Sequence, residues 1–170
     1  VISGPLAGVW LADQGADVVK IEDTAGDPAR TIGPRKADIS SMFFACNRGK
    51  RGLVADLKSA EGKAAAWAEI EQADVLLQNW RPGVAERLGL AYEDVAARNP
   101  KIIYCSISGF GKTGPRAEAR AYDAIADQWR YPEIVNLHGP PGAGKTFLGW
   151  ALAHDGDALM GLQERKDAGA

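Results

Sequence analysis

Apolar and polar residues change places along this chain in short blocks, and the blocks keep two different periods. Val18-Val19-Lys20-Ile21-Glu22 is a β-branched run just past Gly15, the expected stop of a helix over 6–14. A second strand is predicted at 52–57. Ser59 then stands where an N-cap belongs, ahead of an Ala-, Glu- and Lys-rich helix over 60–73. The next strand is 74–79, ending at the polar Asn79. A short helix over 92–98 is stopped by Asn99-Pro100, since the residue before a proline avoids helical angles. Residues 101–106 read as a strongly apolar strand and 134–137 as a later one. Strands separated by helix-length crossovers imply βαβ units, hence an α/β fold with a Rossmann-like, mainly parallel sheet. The strands near 18–22, 53–57, 75–79 and 101–107 are expected side by side in one sheet. Ligands of such sheets bind beyond the strands' carboxyl ends, which points to 22–26, 79–83 and 108–114.

Between these blocks, 23–50 and 109–115 read as long loops. The second is Gly109-Phe110-Gly111-Lys112-Thr113-Gly114-Pro115, whose glycines let backbone amides approach a ligand. Composition narrows the classes further. Formal net charge is −2 with Lys and Arg scattered, so the basic stripe of a nucleic-acid binder is missing. No apolar run reaches the length of a membrane helix, and no signal-peptide pattern opens the chain. With Val1 in place of Met, the chain is expected to begin mid-protein. Cys46 and Cys105 form no metal-spaced pair and are expected as two buried thiols in a cytoplasmic protein.

Several segments in order carry a resemblance. They are Ser3-Gly4-Pro5-Leu6-Ala7-Gly8, then the run from Leu11 to Glu22, then Gly26-Asp27-Pro28-Ala29-Arg30. Asn47-Arg48-Gly49-Lys50-Arg51 with Ala55-Asp56-Leu57-Lys58 follows. Next come Asn79-Trp80-Arg81-Pro82-Gly83-Val84-Ala85-Glu86-Arg87-Leu88-Gly89 and Tyr104-Cys105-Ser106-Ile107-Ser108-Gly109-Phe110-Gly111, closing with Tyr122-Asp123-Ala124-Ile125. Together they resemble the class III CoA-transferases, a group that includes formyl-CoA and carnitine CoA-transferases and the α-methylacyl-CoA racemases. The resemblance covers about 1–128, read as a truncated piece of that family's large domain. Residues 129–170 form a separate segment. A first strand and a second small domain of the family are not matched, and Asp23 stands where some members carry a CoA-contacting arginine.

The resemblance implies coenzyme A as ligand, acyl-CoA and carboxylate substrates, and a homodimer with interlocked chains. It places Ser3 at the mouth of the CoA site, Ala55 and Lys58 along it, Asn79, Trp80 and Arg81 in its lining, and Arg87 and Arg120 as cations. Phosphates need cations and amides, and Trp80 suits an adenine face or the pantetheine arm. In the family an Asp carboxylate attacks the thioester, giving a mixed anhydride and then an aspartyl-CoA thioester. Asp155 is nearest to that spacing from Tyr122, with Asp157 the neighbouring choice; the plain alternative for both is a solvated turn around Gly156. His138 and His154 lie away from the position of a racemase histidine, which favours the transferase.

A second motif intrudes. Gly139-Pro140-Pro141-Gly142-Ala143-Gly144-Lys145-Thr146 satisfies the phosphate-binding pattern G-x-x-x-x-G-K-[ST] and follows a strand-like run. It resembles the P-loop of AAA-type ATPases. Gly139, Gly142 and Gly144 would shape the cradle, Lys145 would reach the terminal phosphates of ATP, and Thr146 would hold Mg²⁺. No apolar strand ending in a carboxylate follows to complete a metal site. Two accounts stand: a junction between a transferase piece and an ATPase turn, or a remodelled transferase loop. The remaining possibility is a non-catalytic remnant.

Overall fold

The computed structural model describes residues 2–37, 39–115, 117 and 134–139, with 134–137 described by backbone alone. Contacts divide the chain into two compact units, 1–72 and 73–170.

The first unit opens with α1 (Ser3–Asp13). Gly15 ends it in a left-handed conformation (φ 96°), where a side chain would be strained. The strand β1 (Val19–Glu22) follows, then a single 3-10 turn (Pro28–Thr31) whose Ala29 amide is capped by the Asp27 carboxylate. A small hairpin pairs β2 (Arg35–Lys36) antiparallel with β3 (Ile39–Ser40). Then come α2 (Ser41–Asn47), β4 (Arg51–Val54) and α3 (Ala60–Ile70). The β1 and β4 strands run parallel with Val19 opposite Arg51 and Glu22 opposite Val54. Ser59 caps α3 as expected, its hydroxyl accepting from the Gly62 amide at 3.0 Å. Val9, Ala29, Ala66, Trp67 and Ile70 are buried in this unit.

The second unit contains β5 (Val75–Gln78), α4 (Val84–Leu88), α5 (Tyr92–Arg98), β6 (Ile103–Ser108) and β7 (Ile134–His138). Parallel β5 and β6 place Gln78 opposite Ser106, and β7 runs antiparallel on the far side of β6. The central β6 is buried from Ile103 to Ile107. Tyr104, Leu90, Ile102 and Val95 are fully buried around it. Each such aliphatic contributes about 1.5–3 kcal/mol relative to exposure. The Tyr104 hydroxyl donates to the Leu90 carbonyl at 2.8 Å, so the ring is buried without an orphaned polar atom.

The structure bears out the α/β class and the parallel pairing across helical crossovers, and it corrects two expectations. The four strands do not form one sheet: β1–β4 and β5–β6–β7 are separate ladders, with no ladder joining β4 to β5 among the described residues. The later strand, for which no direction was expected, joins the second ladder antiparallel to β6. Residues 23–50 are not a plain loop but hold the 3-10 turn, the hairpin and α2. That helix is too short for its Met42-Phe43-Phe44 run to show a helical period, and its clearest local signal is the Ser40 cap.

Candidate functional site

In the second unit, the carboxyl ends of β5 and β6 open into a shallow surface cleft. Its lining comes from the Trp80–Gly83 turn, from Ala85 and Glu86 on α4, and from Ser106, Ser108 and Lys112 at and beyond the end of β6. The floor is organised by one buried amide. Gln78 donates through Nε2 to the Ser106 hydroxyl at 2.8 Å and accepts at Oε1 from the Trp80 amide at 2.7 Å. Those two bonds fix the amide's orientation and aim the chain out of β5 into the turn. Gly83 then adopts φ 81°, a left-handed conformation that favours glycine, while the nearby end of the exposed Arg87 side chain could swing clear of a Cβ. Beyond β6, the Ser108 hydroxyl accepts from the Gly111 amide at 3.2 Å and tightens the glycine-rich loop.

Trp80 is half-buried and Arg81 exposed, both lining this cleft. Asn79 and Arg87 flank it on the same segment, exposed and outside the lining. Ser108 and Lys112 fall in the 108–114 stretch expected beyond a strand's carboxyl end, whereas Gln78, Glu86 and Ser106 were not anticipated. Gln78 and Ser106 had a signal, since each is a polar residue inside an apolar strand run. Glu86 had none.

In the first unit the carboxyl end of β1 carries a dense ionic network. Glu22 is 8% exposed and accepts from the Asp27 amide at 3.0 Å and from Arg30 Nε and Nη2, each at 2.9 Å. Burial pushes its carboxyl up, but the Arg30 fork and the Asp27 amide outweigh that and hold it below the usual range. Arg30 also stacks over Phe43 at 3.8 Å, and Lys20 pairs with Asp27 at 2.6 Å. Lys20 and Arg30 are therefore committed to holding the 23–31 turn. Ala55 is buried beside this network, its amide donating to the Glu22 carbonyl at 2.8 Å, and Lys58 is exposed. Asp23 is exposed, and bonds from the Ala25 amide and the Thr24 hydroxyl, with the Lys58 charge, hold its carboxyl low. Ser3 begins α1, half-buried.

Lys50 is the other distinctive cation of this unit. Its ammonium donates to the Pro5 carbonyl at 2.6 Å, the Cys46 carbonyl at 2.8 Å and Asn47 Oδ1 at 3.2 Å. It lies against Gly8, where an added Cβ would come within 3.2 Å of Nζ. Burial and the nearby Lys20 charge push its pKa down to about 8. Cys46 and Cys105 are both free and buried, and burial raises the Cys105 thiol to about 12, out of nucleophilic range.

Arg120, Asp155, Gly142, Gly144, Lys145 and Thr146 lie outside the described residues. Gly139 is described, and a Cβ there would sit 2.9 Å from the Ile102 carbonyl, so its small size serves close packing where β7 ends. Among the described residues no group of three His, Cys, Asp or Glu is placed to hold a metal, and no helix is long and apolar enough to cross a membrane.

The model of CoA-transferase family III matches residues 1–163, bounds that enclose the 139–146 motif. A succinate–glutarate CoA-transferase of Agrobacterium fabrum is 47% identical over 161 residues, covering 90% of this chain and 40% of that protein. An acetyl-CoA:oxalate CoA-transferase of Acetobacter aceti is 47% identical over 126 residues, covering 74% and 32%. A crystal structure of a CAIB/BAIF family protein from Brucella suis superposes with a TM-score of 0.70 at 42% identity, over 75% of this chain and 35% of that one. The chain thus spans two fifths or less of these curated relatives.

Proposed function

The chain belongs to CoA-transferase family III, and from that premise we propose that it forms part of the CoA-binding domain of an enzyme moving CoA from an acyl-CoA to a carboxylic acid. The observation that carries the reading is the cleft at the ends of β5 and β6. It brings Trp80 and Arg81, an aromatic face and an exposed cation, to the strand ends where α/β sheets take ligands. Asn79 and Arg87 flank that cleft; Ser3, Ala55, Lys58 and Arg120 are carried only by the family resemblance as further CoA contacts. Asp155 is the proposed nucleophile. Its carboxylate attacks the thioester carbonyl and expels the CoA thiolate, leaving a mixed anhydride. The thiolate then attacks the aspartyl carbonyl, releasing the first carboxylate and leaving an aspartyl-CoA thioester for the acceptor. The names of the two 47% identical relatives support a short dicarboxylate as the acceptor class.

A family match whose bounds, 1–163, enclose 139–146 supports a remodelled transferase loop there, with no role for ATP and Mg²⁺. Homodimer formation fits the exposed Phe44 and Val54, apolar surface that a partner would cover. Two free, buried thiols agree with a cytoplasmic setting.

Calorimetry on the 170-residue chain tests the central claim. CoA binds, Arg81→Ala weakens it about tenfold as expected for a lost phosphate contact, and ATP–Mg²⁺ gives no heat. ATP binding that disappears in Lys145→Ala would restore the nucleotide reading. Turnover belongs to the whole enzyme, where Asp155→Asn abolishes exchange between an acyl-CoA and succinate; an active Asp155→Asn enzyme removes that residue from the mechanism.

A further inference from the structure

Lys112 and Glu86 both line the second unit's cleft, and neither is used in the account above. Lys112 extends from the glycine-rich loop beyond β6, Glu86 from the first turn of α4. Their charged atoms stand 3.9 Å apart, too far for a hydrogen bond, with side chains 39% and 52% exposed. An ion pair that long and that wet is easily exchanged for a better partner. The loop favours such an exchange. Its start is pinned by the Gly111 amide on Ser108, while Gly111 and Gly114 take φ 79° and 99° on either side of Lys112.

Charge balance shows what the better partner is. Among the described residues, the charged side chains lining the cleft are Arg81, Lys112 and Glu86. With Glu86 paired to Lys112, a ligand phosphate there meets Arg81 and a carboxylate of its own sign. With Lys112 turned to the ligand, it meets Lys112 beside Arg81. We propose that Lys112 is a further phosphate-binding residue of this cleft and that Glu86 is its displaceable counter-ion, so that the pair tunes how tightly the phosphates of a CoA thioester are held. The proposal deepens the CoA reading of the cleft and rests on it.

The two side chains have opposite roles under this proposal, and that separates it from a plain structural latch. A latch is broken equally by loss of either partner, so both single variants would shift affinity in the same direction. A displaceable counter-ion gives opposite signs. Calorimetry of the full chain with CoA at low salt should show Glu86→Gln binding about three- to fivefold more tightly and Lys112→Gln about three- to fivefold more weakly, the range an exposed pair supports. Both shifts should shrink as salt rises and vanish with pantetheine, which lacks the phosphates. Shifts of the same sign, or shifts that persist with pantetheine, overturn the proposal. The underlying reading has its own control. If Arg81→Ala and Trp80→Ala both leave CoA affinity unchanged, the cleft is not the CoA site and the proposal falls with it. If those variants weaken binding while Glu86→Gln and Lys112→Gln do nothing, the CoA reading stands and the counter-ion alone is wrong.

Discussion

Gly62 shows how one residue can reverse a local rule. It lies in the first turn of α3, where alanine would normally favour the helix by up to about 1 kcal/mol. A Cβ there would sit 2.2 Å from the Asp56 carbonyl oxygen, a backbone atom that cannot swing away. The clash wins, and Gly62→Ala should destabilise the chain by about 2 kcal/mol in urea unfolding, the scale of overpacking; a stabilised variant would mean that the 56–62 turn relaxes freely. Lys50 makes a residue-scale prediction about pH. Its folded pKa of about 8 lies below its ordinary 10.5, so between those values the unfolded chain binds more protons than the folded one. Stability from this group therefore rises as pH climbs from 8 towards 10.5. Above 9, Cys105 acts in the other direction, and above 10 so does Tyr104, because burial raises each folded pKa to about 12. The clean window is pH 8–9, and the wild type should gain stability there relative to Lys50→Met, which shares the other two groups. A constant difference between the two proteins would show that Lys50 titrates normally.

At the scale of elements, β6 and β4 have contrasting environments. The β6 strand is paired on both sides and buried from Ile103 to Ile107; among the described residues β4 is paired on β1 alone, and only Leu53 in it is even half-buried. Amide exchange should accordingly be slowest along β6 and fast in β4, since opening follows local burial and pairing. The Tyr104 hydroxyl ties β6 to the end of α4 through the Leu90 carbonyl. Tyr104→Phe should cost about 1 kcal/mol by leaving that carbonyl without its donor, with the protection lost first near Leu90. The β1 end behaves as a unit too. Glu22 is held below its ordinary 4.5, so its contribution is present above that pH and lost as pH falls through the lower folded value. Arg30→Met should move the acid-unfolding midpoint upward; an unmoved midpoint would mean that Glu22 is held by the Asp27 amide alone.

For the whole molecule, the described apolar exposure gathers in the first unit. Phe44 is 63% exposed, Val54 67%, Ile39 47% and Ile32 42%. Isolated apolar residues on a surface need no explanation, but four large ones within 23 positions of a single small unit predict self-association. Light scattering should show concentration-dependent association of the wild-type chain that is reduced in the Phe44→Ser, Val54→Thr double variant. Equal scattering from both would place the sticky surface elsewhere.

Sequence alone determined what depends on neighbours a few positions apart. The Ser59 cap and the helix behind it, the Asn99-Pro100 stop and the Gly15 helix end follow from backbone sterics and local hydrogen bonds. The parallel sense of β1 with β4 and of β5 with β6 follows because each crossover is long enough to hold a helix. The ordered motifs placed the chain in its family and pointed to the Trp80–Arg81 turn. Tertiary structure alone decided that the strands divide into two ladders, and that β7 returns antiparallel. It also decided which polar groups meet: Gln78 with Ser106, 28 positions apart, and Lys50 with Pro5, 45 apart. Glu86 and Lys112 are another such pair. Periodicity fixes which face of an element a residue takes, but not the register or the neighbour that face will find. Those are set by packing across the chain, where a shift of one residue in a strand turns every side chain to the other side.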